Sequence, residues 1–458
     1  MVSPPLRTRW GGLADSSFSK RGYFGIGERH GIFWLIDPDG GRFLSKGVNT
    51  VRLDQDRTQD GRRIPYAEAC ARKFRNQDAW RACVAGRLAG WGFNTLGAWS
   101  DEAVAKASAV ALARTPILDL GMSFAGDRNG TLRHRSAQSF PDVFSEDFAR
   151  HSRERAGTLC GPASKDEGIL GWFVDNELSW GPDWRGSDEL LTIFLSLPHP
   201  SPGRFAAFEW LRSRYPDFEQ FIAIWRAPAA SWPALAGLAR VEPPYRRKPS
   251  YERSTAGEAA PNRADSRRAA FAADCDAFAA LVAERYFAVT GAAIRAADPH
   301  HLLLGCRFAY PPAPGVVDAA ARHVDVISFN CYERDPAVAI DGYAAAGKPC
   351  LIGEFSFRSM DSGLPNTNGA GPIVATQADR ASCLRRYVAA AACRPSLVGY
   401  HWFEHADQPI EGRFDGENSN FGLVTIADDV YPDVTEAMAA VNAEADERHT
   451  AARAGAAA

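Results

Sequence analysis

The 458-residue sequence predicts an α/β fold, a (β/α)8 TIM barrel, on three observations. Eight short apolar runs recur along the chain, each followed by polar residues or glycine. Long amphipathic stretches separate most of them. The runs lack the strict polar–apolar alternation of a half-exposed sheet, as expected of parallel strands covered on both faces. A doubly wound sheet competes, but it leaves the eighth strand and the long strand-end loops without a use.

Residues 1–22 are polar and irregular and read as an N-terminal extension. Gly31-Ile32-Phe33-Trp34-Leu35-Ile36 and Arg42-Phe43-Leu44-Ser45 flank Asp37-Pro38-Asp39-Gly40-Gly41, and two apolar runs around such a turn predict an N-terminal β-hairpin. The eight runs lie at 43–50, 92–96, 115–120, 169–175, 302–307, 324–330, 349–354 and 397–402. Helical periodicity marks 66–88, 267–297, 377–393 and 434–443. About 125 residues separate the fourth run from the fifth, where about 30 complete a βαβ unit. The excess predicts a long insertion after strand 4, over about 181–268, with helical pieces at 203–214 and 217–225 and a Pro-, Arg- and Ser-rich part at 243–268. From there it can roof one side of a site at the strand ends. The barrel domain is expected over 23–445, and 446–458 as a disordered tail.

Composition narrows the function classes. A net charge of −3 leaves no basic surplus for a phosphate backbone, so nucleic acid is not an expected partner. No run approaches the roughly twenty apolar residues of a membrane span, so no membrane is expected. The nine cysteines are scattered without a CxxC or zinc spacing, and the N-terminus lacks an apolar signal core. Buried thiols in the cytoplasm are the expectation. No cofactor or metal is expected either. Gly342-Tyr343-Ala344-Ala345-Ala346-Gly347-Lys348 matches most of a phosphate loop, but Pro349 replaces the metal-holding Ser/Thr. His300-His301 matches no ligand spacing. Homo-oligomerisation stays open.

In such a barrel the side chains beyond the C-terminal strand ends converge on one site. Asn49 and Arg52 follow the first run, and Asn94 and Trp99 lie at or beyond the second. Asp119 closes the third, Asn176 and Glu177 end the fourth, and Arg307 the fifth. Asn330 and Tyr332 follow the sixth, Glu354 ends the seventh, and Trp402, Glu404, His405 and Asp407 follow the eighth. Trp180 and Trp184 stand just after Glu177, where either stacking on a ligand or ordinary packing would suit them.

Two glutamates stand apart. Gly171-Trp172-Phe173-Val174-Asp175-Asn176-Glu177 and Pro349-Cys350-Leu351-Ile352-Gly353-Glu354 each end an apolar strand on a carboxylate with no Lys or Arg beside it in sequence. A carboxylate there costs desolvation energy unless it has a partner or a chemical task. Two of them across a cleft are what glycosidic cleavage requires, one protonating the leaving oxygen and one attacking the anomeric carbon or activating water.

Asn176-Glu177 and Glu354 resemble the signature of clan A glycoside hydrolases. Within that clan the chain most resembles glycoside hydrolase family 50, the β-agarases and agarase-like β-galactosidases. The resemblance is carried by Trp34-Leu35-Ile36-Asp37-Pro38-Asp39-Gly40-Gly41-Arg42-Phe43-Leu44-Ser45-Lys46-Gly47, by residues 140–148, 171–180 and 352–357, and by 399–424 with His401-Trp402-Phe403-Glu404-His405-Ala406-Asp407-Gln408-Pro409. It implies a retaining double displacement with Glu177 as acid/base and Glu354 as nucleophile, and Asn176 on the sugar 2-hydroxyl. It also implies Tyr332 and Arg307 as donors to Glu354, and Trp402 flooring the central sugar subsite. Asn49, Asn94, Trp99, Trp180, Asn330, Glu404, His405, Asp407 and Glu417 are the further candidates for sugar contact, against local structural pairing. Agarases usually carry a secretion signal and an N-terminal β-sandwich, neither evident here, so the expected reaction is removal of terminal β-linked sugars from a small substrate, a β-galactoside or agar-type oligosaccharide. Another β-linked sugar (glucoside, fucoside or arabinoside), an endo-acting agarase and a non-catalytic saccharide-binding barrel remain the alternatives.

Overall fold

A computed structural model describes residues 6–15, 17–129, 140–247 and 266–452. Strands β1 (Gly25–Arg29), β2 (Ile32–Ile36) and β3 (Arg42–Phe43) form an antiparallel sheet in that order. The hairpin turn is fixed by Asp37, whose Oδ1 accepts from the backbone N–H of Asp39 (3.0 Å) and Gly41 (2.9 Å). β1 was not expected, because Gly25 to Arg29 carries too little apolar character to read as a strand.

Eight parallel strands follow the expected runs. They are β4 (Ser45–Val48), β5 (Thr95–Leu96), β6 (Ala113–Arg114), β7 (Gly171–Trp172), β8 (Leu302–Leu303), β9 (Ile327–Asn330), β10 (Cys350–Phe355) and, after the short pair β11 (Arg358–Ser359) and β12 (Ile373–Val374), β13 (Leu397–Trp402). Six pair in the order β6-β5-β4-β13-β10-β9, and β7 pairs with β8. Single parallel bridges, Arg114 to Ile169, Ile117 to Phe173 and Phe308 to Phe329, link these two groups.

Several strands are shorter than their runs because the chain bends sharply at their C-terminal ends. Thr50, Trp99, Asp119, Glu177 and Arg307 all adopt left-handed backbone (φ 57°, 61°, 50°, 53° and 50°), which is uncommon outside glycine and clusters where structure is over-determined. The third strand sits ahead of its run, since Pro116 has no N–H for the ladder.

Residues 66–88 form two helices, Pro65–Lys73 and Gln77–Gly90, rather than one. Asn76 breaks the run and caps the second by accepting from the Ala79 N–H at 2.9 Å. Helix Ser266–Ala297 is, contrary to expectation, long and apolar enough to cross a membrane by length and composition, with a window of mean hydropathy 1.4. Over half of that window is buried, and the helix packs on Glu146–Leu159 and Pro314–His323 as a core element would.

The expected tail is corrected as well. Helix Pro432–Thr450 runs through residue 446, and Asp446 accepts from Lys46 Nζ (3.1 Å) and Arg7 Nη1 (2.7 Å) while His449 bonds the Phe33 carbonyl. Leu13 of the N-terminal extension bridges to Arg42, so that segment is tied to the same end. Residues 248–265 of the insertion and 453–458 of the tail lie outside the described residues. All nine cysteines are free thiols, most of them buried.

Side chains divide between two apolar cores. Leu170, Leu302, Leu304, Val326, Leu351 and Val398 form one, and Leu303, Ile327, Ile352, Tyr400 and Trp402 join the helices in the other. Alternation of this kind is period-2 strand geometry on a sheet buried on both faces.

Candidate active site

Glu354 faces the site because β10 is irregular. Leu351 belongs to the inner core and Ile352 to the outer, so strict alternation would turn Glu354 toward the helices. A register shift between Ile352 and Glu354 reverses this: Phe355 stacks on Tyr387 outside, and Glu354 turns in. Gly353 at the shift lets a partner approach, since a Cβ there would stand 3.0 Å from Arg307 Nε. Arg307 Nη2 donates to Glu354 Oε1 at 2.7 Å and to the Gly353 carbonyl at 3.0 Å. Tyr332 Oη donates to Glu354 Oε2 at 2.6 Å. One donor thus meets each oxygen of a carboxylate that is 5% exposed.

The Arg307 guanidinium is itself fully buried between aromatic rings, 4.7 Å from the Trp99 centroid and 5.0 Å from Phe173. His401 lies on the inner face against Ser45 (2.9 Å), and burial with the Arg307 charge drives its pKa down to about 3, so it stays neutral. Burial first, then the negative charges of Glu354 and Glu177, raises the Tyr332 hydroxyl well above its ordinary value. Tyr332 therefore stays a donor.

Glu177 is half-buried, and its Oε1 accepts from Asn330 Nδ2 at 2.7 Å. Asn330 ends β9 as the register partner of Glu354, and its Nδ2 lies 3.4 Å from Asn176 Oδ1. The two carboxylates thus share one cluster, since Asn330, which donates to Glu177, is the register partner of Glu354, and the Tyr332 hydroxyl feels both charges. Behind Glu177, Arg185 Nη1 donates to its carbonyl at 2.6 Å while pairing with Asp183. Asp175 is fully buried and accepts from the N–H groups of Gly121 (2.7 Å) and Met122 (2.9 Å) and from Tyr286 Oη (2.5 Å). Burial, then the charge of Asp119, raises its pKa to about 7. It ties the Glu177 loop to the first turn of helix Leu120–Asn129. Arg185 and Asp175 were not singled out from sequence; only the nearness of both to Glu177 hinted at them.

Several of the expected sugar contacts have partners within the protein. Asn49 spends its amide on the carbonyls of Gly353 and Trp402 and on the Ala98 N–H, locking strand ends together. Asn94 pairs with the backbone of Leu44 and Lys46, at the opposite strand ends from the carboxylates. Trp402 is fully buried on the outer face, against Phe355 and Arg380, its indole N–H on the Phe421 carbonyl. Trp180 is packed among Phe140, Tyr286 and Phe287, whereas Trp184 is half exposed beside Tyr310.

The loop after β13 is interior. Glu404 is buried against Gln408, and burial followed by the Asp56 charge pushes its pKa well up. His405 meets Tyr66 Oη, and burial lowers its pKa to about 4. Asp407 accepts from Asn420, Gly422 and Tyr431, which consumes it in folding the loop. Glu417, held by Arg413 (2.6 Å) and Gln408 (2.9 Å), alone among the four keeps a side chain 22% exposed. The sequence could not separate these, because burial depends on how the loop folds back. Among the described residues no group of three or more His, Cys, Asp or Glu is arranged to hold a metal ion.

No family model matches the chain. It is similar to beta-agarase A of Vibrio sp. (strain JT0107), with 29% identity over 95% of the chain and 48% of that protein. Beta-agarase B of the same organism is 26% identical over 96% of the chain and 50% of its own length. The chain spans about half the length of the curated relatives it matches. Among solved structures, PfGH50B superposes with a TM-score of 0.78 at 25% identity, covering 98% of this chain and 70% of that one. An exo-beta-agarase superposes equally well, TM-score 0.78 at 23% identity over 97% and 69%, a likeness of fold. Over nearly all of its own length, then, the chain is similar in sequence and in fold to the agarases of glycoside hydrolase family 50.

Proposed function

We propose that the chain is a retaining glycoside hydrolase on a closed (β/α)8 barrel, cleaving β-linked galactose-type residues of agar-derived saccharides. Barrel closure is supported by the single parallel bridges that join the ends of the six-stranded sheet to β7 and to the residues after β8. The catalytic unit is read as residues 23–445, with the segment over about 181–268 as its insertion. The observation that carries the reaction is the single cluster formed by Glu177, Asn330, Tyr332, Arg307 and Glu354 at the ends of β7 to β10. Similarity to agarases supports the substrate.

The chemistry follows from the contacts. Glu354, met by a cation and a hydroxyl donor, acts as the anionic nucleophile and forms a bond to the anomeric carbon as the glycosidic bond breaks. Glu177 gives its proton to the departing oxygen. In the second half it takes a proton from water, the water oxygen bonds the anomeric carbon, and Glu354 is released. A cavity of about 350 Å³ is lined by Leu178, the residue after Glu177, with Asp183 and Tyr310 among others, and supports room for a saccharide leaving group on that loop.

Hydrolysis of agar-derived oligosaccharides and aryl β-galactosides by the wild type, Glu177→Ala and Glu354→Ala tests this reading. Turnover should be lost on the oligosaccharide in both variants. Turnover surviving in both contradicts the site, and saccharide binding without turnover on any β-linked donor contradicts the enzyme.

A further inference from the structure

We propose that a second cavity, between the loop after β9, strand β12 and helix Gln377–Ala392, binds an oxyanion through Arg334 and Arg386. The cavity measures about 290 Å³. The two guanidinium groups converge on one atom: Arg334 Nη1 lies 3.7 Å and Arg386 Nη2 3.3 Å from Cys383 Sγ. A thiol sulfur is a weak acceptor and leaves most of the guanidinium donors uncommitted. Arg386 also donates to Ser382 Oγ at 3.1 Å. Among the described residues, neither arginine stands in an ion pair.

Two like charges held on one sulfur repel each other, and a bound anion removes that cost. The acid lining the same cavity, Asp379, is already engaged, since its Oδ2 accepts from Thr376 N (3.2 Å) and Oγ1 (2.9 Å) as a helix cap. Asp335, beside Arg334, accepts from the Ala337 N–H at 2.9 Å. Arg380, six residues earlier in the helix, gives the contrast: it is fully buried, donates to the Phe357 carbonyl and Gln377, and lies over Trp402. Paired, exposed guanidinium forks on a concave surface match the oxygens of a sulfate, phosphate or carboxylate group.

The location is as telling as the charge. Arg334 is two residues beyond Tyr332, and Gly371, two residues before β12, packs on the Tyr332 ring, where a Cβ would stand 3.2 Å from Cδ1. Two segments that line the oxyanion site, the loop after β9 and the start of β12, thus also flank Tyr332, the donor to Glu354. The anion is either a free ion or a substituent on the saccharide; this second source rests on the glycosidase reading, while anion binding itself does not.

Titrating the full chain with sodium sulfate, at an ionic strength held constant with sodium chloride, tests the site through the thermal midpoint. The wild type should show a saturable rise. In Arg334→Gln/Arg386→Gln the apparent affinity should fall by about tenfold or more, with Arg386→Lys between the two. Circular dichroism of the free variants checks that they fold. A second arm compares KM for one oligosaccharide with and without a sulfate ester. A lower KM for the sulfated form that disappears in the double variant places the anion on the saccharide. An equal KM with sulfate binding intact assigns the site to a free anion. Identical sulfate responses in the wild type and the double variant overturn the proposal, and that readout stands whether or not any glycoside is hydrolysed.

Discussion

The two carboxylates sit in unlike surroundings. Glu354 is 5% exposed and meets one donor on each oxygen, from a buried guanidinium held between two rings and from a tyrosine. Glu177 is half-buried, meets Asn330, and stands on a left-handed turn whose carbonyl is held by Arg185. The surroundings of Glu354, the proposed nucleophile, are organised around the carboxylate anion. At Glu177 the backbone is fixed by Arg185 and the carboxyl is half-buried, which suits the proposed role of a group that gives up and regains a proton in each cycle.

The sharpest way to break this comparison is Glu354→Gln. It removes the attacking anion, and kcat should fall by on the order of 10⁴–10⁶-fold whatever the leaving group, measured under saturating substrate. Glu177→Gln should cost about 10²–10⁴-fold on an oligosaccharide but far less in forming the intermediate from an aryl glycoside whose leaving group needs no proton. Equal losses on both substrates would erase the difference between the two ends. Tyr332→Phe takes from Glu354 the hydroxyl that donates to its Oε2. A hydrogen bond to a charged group contributes about 1.5–3 kcal/mol, so kcat should drop roughly tenfold or more with little change in KM.

Asp175 bears on stability rather than on turnover. Its pKa is raised from 3.8 to about 7 by burial and then by Asp119, so the folded protein keeps a proton that the unfolded chain releases between these values. Stability should therefore fall as pH rises from about 4 to 7, by at most about 1.4 kcal/mol per pH unit from this group. Asp175→Asn should flatten that decline in urea midpoints taken at several pH values. An unchanged slope would remove Asp175 from the account.

Much of the frame was legible because hydrophobic burial writes it into the chain. Seven of the eight apolar runs overlap their strands, the third lying just after β6, and 397–402 matched β13 residue for residue. Glu177 and Glu354 were visible as carboxylates ending apolar runs. The side-chain directions were not visible. A register shift at Gly353 turns Glu354 inward, and alternation turns Trp402 outward, although both residues close apolar runs of the same kind. Asn49 and Asn94 looked like sugar ligands, but strand ends need side-chain partners for their own backbone, and these two supply them. Glu404, His405 and Asp407 looked exposed in a polar loop, yet that loop folds over β13 and pairs them internally.

Proton NMR of the first-formed anomer, followed in time on a β-linked substrate, tests the central claim most directly. Double displacement through Glu354 inverts the anomeric carbon twice, so the β-anomer should appear first and the α-anomer grow in only by mutarotation. An α-anomer formed first would mean a single displacement by water and would contradict the assignment of Glu354 as nucleophile.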